Sequence, residues 1–163
     1  MHSKYLIVGS SHAALEAATA IRLIDTDGAL TLLTRDTHLP YSPTILPYVV
    51  SGRSQPDNVV LRGQDYFRDN AIAFVPGATV VSLDPAQSSL RLASGDIWQY
   101  DRLLIATGAA PMLPKVAGLT DVPYHVLRSM DDAIHLRQAM GQARSAIVLG
   151  AGLIGMHAAE NMA

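Results

Sequence analysis

Two short stretches carry residues at a spacing that can do chemistry. The first, YLIVGSSHAALEAATA over 5–20, is an apolar run, then Gly9, then small residues entering a helical pattern. The second, AIVLGAGLIGMHAAE over 146–160, repeats that outline with Gly150, Gly152 and Gly155. A G-x-G-x-x-G turn between a strand and a helix suits a dinucleotide. The first glycine permits the tight bend, the second lets backbone approach the pyrophosphate, and the third lets helix and strand pack closely. The anion then rests on N–H groups at the helix N-terminus. In the first stretch Ser11 and Ala14 stand in the second and third glycine places. Alanine is an accepted third residue, and the Ser11 hydroxyl can itself donate to a phosphate. Alone, this stretch also reads as a strand running into a helix that binds nothing. Two related turns in one chain favour the nucleotide reading.

These turns need elements to hold them. Lys4 to Gly9 reads as a buried parallel strand, an apolar run closed by glycine. The helix after it repeats Ala14, Ala17, Ala18, Ile21 and Ile24 on one face. GALTLLTR over 28–35 is a second strand, completing a βαβ unit. Pro40, Pro43 and Pro47 limit the next segment to a loop with a short helical piece. GQDYFRDN reads as a helix and IAFV as a strand. ATVVSLD, SSLRLASG and IWQY, separated by turn residues, form an antiparallel meander. YDRLLIATG over 100–108 is expected as another buried strand, and SMDDAIHLRQAMGQ as a helix with Asp131 and Asp132 in its first turn. SAIVLG opens a second strand–turn–helix that has no following strand to pair with. A lone strand and helix cannot bury their own apolar faces, so the remainder of that unit is expected outside these residues.

Composition narrows the function. With 163 residues, 49% hydrophobic and 16% charged, the chain can bury a core. The net charge of −2 and scattered Lys and Arg argue against a nucleic-acid partner. No apolar run reaches the roughly 18 residues of a membrane span, and no signal-peptide pattern is read, so a cytoplasmic location is expected. Cysteine is absent, which removes disulfide, thiolate and Cys-ligated cluster chemistry from this chain. His12, His38, His125, His135 and His157 lie far apart and His2 sits near the terminus, so no metal site is expected.

The order YLIVGSSHAALEAA, HLPYSPTILPYVVSG, YDRLLIATGAAP, HVLRSMDDA and AIVLGAGLIGMHAAE resembles the pyridine nucleotide–disulfide oxidoreductase family across essentially the whole chain. Within it, the chain is similar to FAD subunits that exchange electrons with NAD in phenylglyoxylate dehydrogenase and tungsten aldehyde oxidoreductase complexes. The resemblance implies an α/β fold. A Rossmann-like FAD-binding domain, with a central parallel sheet and a three-stranded antiparallel meander, would occupy 1–110. A linker and the beginning of a second Rossmann domain, for NAD(P)H, would occupy 111–163. It implies FAD and NAD(H) or NADP(H) as cofactors and a protein electron partner bearing an Fe–S centre, in an oligomer or complex.

Carried over by residue, Gly9, Ser11, His12, Ala13 and Ala14 would wrap the FAD pyrophosphate. Thr34 stands where the family often has the acidic residue for the adenosine ribose. Arg35 and Asp36 follow, and Asp36 reads either as that ribose ligand or as a solvated loop carboxylate. Val80 or Val81 would meet adenine through backbone groups. Ala106, Thr107 and Gly108 would pass the flavin phosphates, and Pro43 and Thr44 would lie beside the isoalloxazine. Gly150, Gly152, Leu153, Ile154, Gly155 and His157 would serve NAD(P)H. Tyr41, Tyr48 and Trp98 form a possible flavin-stacking set, of which Trp98 reads better as core. Arg128 reads better as a structural residue near the domain junction.

Two departures carry chemical weight. Coenzyme A disulfide reductases of the family have Cys where this chain has Thr44, and threonine forms neither thiolate nor mixed disulfide. The expectation is therefore electron transfer through flavin alone, with no proton-transfer residue assigned. The family usually has Glu at the place of His157, which here reads either as a nicotinamide or flavin contact or as a packing residue. Two other readings stay open: a non-catalytic nucleotide-binding or assembly module, and a cysteine-free NADH oxidase. These residues alone are expected to be inactive.

Overall fold

The computed structural model describes residues 1–163. The elements run β1 (His2–Val8), α1 (His12–Ile24), β2 (Leu30–Leu33), a 3-10 turn (Pro43–Ile45), α2 (Leu46–Val50), α3 (Gln64–Asp69), β3 (Ile72–Val75), β4 (Val80–Asp84), β5 (Ser89–Leu92), β6 (Ile97–Ile105), α4 (Met130–Met140) and α5 (Leu153–Met162). They fall into two compact units interleaved in sequence. One unit is Met1–Tyr41 with Val60–Gly108, and the other is Ser42–Val59 with Ala109–Ala163.

The first unit holds every strand in one sheet of order β3-β2-β1-β6-β5-β4. β1 is parallel to β2 and to β6, and β2 is parallel to β3. β5 is antiparallel to both β4 and β6. Apolar side chains alternate to the two faces of the central strands. Ile7, Leu30, Leu32 and Ile72 pack with Ala14, Leu15 and Ala18 of α1 and Phe67 of α3. Leu6 and Leu33 pack instead with Leu90 and Leu92 of the meander. The alanines let α1 sit close on the sheet, as the helical spacing predicts. Ile24 departs from that face, being 91% exposed at the last turn.

Arg22 closes the far end of α1. Its Nε donates to the Asn70 carbonyl at 2.6 Å, one terminal nitrogen to the Asp25 and Gly28 carbonyls, and the other to the Ala71 carbonyl. One planar fork thereby ties the helix end to the starts of β2 and β3.

The second unit is helical. Leu46, Pro47, Val49 and Val50 of α2 are buried, as are Met130 and Ala133 of α4, and α2 packs on both α4 and α5. Helix α4 starts with a capping box. The Ser129 side chain accepts from the Asp132 N–H, and the Asp132 carboxylate accepts from the Ser129 N–H at 2.8 Å.

The structure corrects three expectations. IWQY and YDRLLIATG are one nine-residue strand, β6, whose beginning pairs antiparallel with β5 while its length pairs parallel with β1. No glycine or proline interrupts 97–105, and Asp101 does not break the ladder, which simply runs on. That strand is not buried along its length, for Leu104 is 40% and Ile105 61% exposed. The 145–149 segment forms no strand, and Ile147 is 97% exposed. An apolar run becomes a strand only by pairing, and no strand of this chain lies against it.

Candidate nucleotide site

Strand register builds the first turn. Val8 of β1 is aligned with Leu33 of β2 on one side and with Ile105 of β6 on the other. The residues that follow, Gly9, Thr34 and Ala106, therefore meet side by side at the carboxyl end of the sheet. The Gly9 N–H donates to the Leu33 carbonyl at 2.8 Å, and the Ala106 N–H donates to the Val8 carbonyl at 2.8 Å. From β1 the chain goes to β2 on one side while β6 lies on the other. This is a topological switch point, where open α/β sheets hold ligands.

Gly9 has φ +128°, a conformation that favours glycine. A Cβ there would run into the Ala106 carbonyl. Ser11 is the N-cap of α1 but makes no side-chain cap bond, and its Oγ reaches the Tyr41 carbonyl only at 3.5 Å. The first-turn N–H groups of Ala13 and Ala14 have no intrahelical acceptor by helix geometry, and Ala13 is exposed. His12 is exposed beside it. Ala14 is fully buried in the core under α1, so its methyl takes the packing place of the third glycine without holding the helix off the sheet.

The acidic position after β2 is more ordered than its sequence suggests. Thr34 is buried and accepts hydrogen bonds from the Ser10 hydroxyl at 3.1 Å and the Asp36 N–H at 3.2 Å. Asp36 is half-buried. One oxygen accepts from the His38 N–H at 3.0 Å and the other from the Tyr41 hydroxyl at 2.6 Å. Asp36 is thus held in place, with lone pairs left for a ribose hydroxyl, while Arg35 is exposed. Tyr41 is buried at 8% exposure, with its hydroxyl spent on Asp36. Neither Ser10 nor the Tyr41 hydroxyl was expected to order this loop. Ser10 could have been found from its place directly after the glycine, but the Tyr41 bond needs the fold.

Val80 is half-buried and Val81 is 57% exposed at the start of β4. Thr107 and Gly108 are exposed after β6. Trp98 packs on the meander core, not with Tyr41 or Tyr48. Pro43 and Thr44 belong to the second unit, where the exposed Thr44 hydroxyl lies 2.8 Å from that of Ser42. Arg128 donates to the Ala109 carbonyl at 2.9 Å within that unit.

The second turn has the same backbone logic. Gly150 has φ +119°, and a Cβ on Gly155 would run into the Gly150 carbonyl. A Cβ on Gly152 would meet nothing within 4 Å, so the N-cap of α5 faces open space. Leu153 and Ile154 are exposed in the first turn of α5. His157 is half-buried, its ring edge-on to that of Tyr48 with centroids 4.9 Å apart.

Both turns fit a dinucleotide. Each has glycine where a side chain would collide, and each aims a helix N-terminus outward. A surface cleft of about 640 Å³ lies elsewhere, lined by His2, Lys4, Gln99 and Arg102. No group of His, Cys, Asp or Glu is placed to hold a metal ion.

A mixed α/β sheet, parallel around its switch point with a glycine-type turn there, joined to a second such turn, defines a dinucleotide-binding protein of the doubly wound class. The chain belongs to the pyridine nucleotide-disulphide oxidoreductase family, whose model matches residues 3–163. It is 54% identical over 161 residues to the NADH-dependent phenylglyoxylate dehydrogenase subunit epsilon of Aromatoleum evansii, covering 99% of this chain and 38% of that protein. It is 32% identical over 155 residues to rhodocoxin reductase of Rhodococcus erythropolis, covering 94% of this chain and 36% of the relative. Among solved structures, NADH:rubredoxin oxidoreductase from Clostridium acetobutylicum superposes with a TM-score of 0.90 at 25% identity, over 99% of this chain and 42% of that one. The chain therefore spans well under half the length of these relatives.

Proposed function

We propose that these residues form part of a flavin-dependent oxidoreductase. It would carry electrons between NADH and a protein partner through FAD, without a redox-active disulfide. The observation that carries this reading is the pair of glycine-type turns in a chain with no cysteine, where Thr44 stands at the reactive position. Its relatives include an NADH-dependent phenylglyoxylate dehydrogenase subunit and an NADH:rubredoxin oxidoreductase. Residues 1–110 would then be FAD-binding, with 111–163 leading into the NAD(H)-binding domain. An Fe–S-containing partner, a place in a complex and a cytoplasmic location complete the proposal. No helix of the chain is long and apolar enough to cross a membrane.

Bound together, the cofactors supply hydride transfer and its division into single-electron steps. The chain supplies position. Gly9 opens the backbone to the pyrophosphate, and Ser11, His12, Ala13 and Ala14 present the helix end to it. Asp36, oriented by Tyr41, offers its remaining lone pairs to the adenosine ribose, with Thr34 and Arg35 beside it. Val80 and Val81 offer backbone groups to adenine, and Ala106, Thr107 and Gly108 border the flavin phosphates. Pro43 and Thr44 line the isoalloxazine without offering a thiol. Gly150, Gly152, Leu153, Ile154 and Gly155 receive NADH. No residue here is needed to move a proton for hydride transfer.

The test uses the full-length protein. It is expected to purify yellow and to bleach when NADH is added without oxygen, then to recover colour with an Fe–S protein acceptor. A colourless protein that never takes up FAD would leave only a nucleotide-binding module. Rapid recovery in air alone, with no gain from an acceptor, would favour the oxidase reading.

A further inference from the structure

Helix α5 is seated by one face. Ala158 and Asn161 are buried, while Leu153 is 93%, Ile154 65% and Met156 61% exposed. On the buried side, next to the glycine turn, the His157 ring meets the Tyr48 ring of α2 at 4.9 Å and an interplanar angle of 80°. This T-shaped geometry is favourable for aromatic pairs. The Asn161 amide donates to the His157 carbonyl at 2.9 Å, one turn back, which holds the helix backbone at the joint. Helix α2 is itself firmly placed, with Leu46, Pro47, Val49 and Val50 buried, and its short lead-in contains Thr44.

We propose that Tyr48 and His157 are positioning residues: their ring pair sets the direction of the Gly150–Gly155 turn relative to α2, and so orients the bound NADH. This rests on the function proposed above. His157 would then act through ring shape and not through a proton or a charge. A carboxylate at 157, the residue usual in the family, would not replace it. It would place a charge against the face or edge of Tyr48 and remove the ring contact.

The experiment uses the full-length holoprotein and reads three quantities: flavin content, the equilibrium dissociation constant for NADH, and the anaerobic flavin-reduction rate at saturating NADH. Tyr48→Ala and His157→Ala should each weaken NADH binding or slow reduction by about three- to tenfold, the scale of an aromatic pair. Flavin content and the unfolding temperature should stay near the parent's. The double variant should be no worse than either single one. Tyr48→Phe and His157→Phe should recover parent behaviour within about twofold, because both keep a ring. His157→Glu should behave like His157→Ala. Full function in His157→Glu, failure of His157→Phe to recover, or additive losses in the double variant would each overturn the pair. If the parent protein holds FAD and binds NADH but no variant changes, this inference fails while the function stands. If the parent binds neither, both fail.

Discussion

A methyl group on Gly9 would press against the Ala106 carbonyl and would also force a β-carbon onto a φ of +128°. Both penalties act at one residue, and neither neighbour is a flexible side-chain end. Gly9→Ala should therefore cost about 2–5 kcal/mol and strip FAD from the full-length protein. Urea unfolding and the ratio of flavin to protein absorbance check this. Ser11 behaves differently, because its side chain makes no cap bond. Ser11→Gly, which restores the fingerprint, should change stability by only a few tenths of a kcal/mol and leave flavin content equal or higher. A marked loss of flavin would show that the Ser11 hydroxyl is a phosphate ligand. Asp25 offers a pH test. Its carboxylate accepts from Lys4 at 2.7 Å, from the Gly28 N–H at 2.7 Å and from the Tyr5 hydroxyl at 2.9 Å. These bonds, Lys4 first, hold its pKa far below the usual carboxylate range. A folded pKa below the unfolded value, about 3.9, stabilises fully above that value and ceases to do so as pH falls through the depressed one. The gap in urea midpoint between the parent and Asp25→Asn should hold from about pH 5 to 8 and shrink steadily below about pH 4. An unchanged gap at acid pH would remove the ionised carboxylate as its cause.

The element most dependent on one side chain is the far end of α1. Arg22 donates to four backbone carbonyls from three segments, all at 3.0 Å or less. Arg22→Met keeps the aliphatic stem and removes every donor, and should destabilise by about 2–4 kcal/mol. Arg22→Lys should recover less than half, since an ammonium cannot match a planar fork. Thermal and urea unfolding measure both. In sequence, Arg22 is only a basic residue in a last helical turn. Its acceptors at Asn70 and Ala71 lie 48 and 49 positions away, so no local pattern could reveal them. The glycine turns are the reverse case. Their bend, close approach and helix start are set within a few residues, and for that reason they are legible directly. β6 lies between. Its apolar run is visible, but its union with IWQY is not, because continuity depends on holding β5 by one stretch and β1 by the other.

Across the whole molecule, the chain covers 38% of the length of its phenylglyoxylate dehydrogenase relative. Leu104 and Ile105, beside the switch point, remain 40% and 61% exposed. No element of these residues covers those apolar side chains. Residues 1–163 by themselves should therefore lose FAD on gel filtration and show no NADH-dependent bleaching, while the full-length protein keeps both. Stoichiometric FAD travelling with the 163-residue chain would contradict this. Sequence alone determined the βαβ start, the two glycine turns, the lack of cysteine in these residues and the family they resemble, because each rests on residue type or on neighbours within a few positions. Tertiary structure decided what joins distant positions. It brought Gly9, Thr34 and Ala106 together by strand register, turned Asp36 from a loop carboxylate into one held by Tyr41, and set His157 against Tyr48. Each of those depends on which strands and helices become neighbours, and burial of both faces of β1 and β2 and of α2 is what selects them.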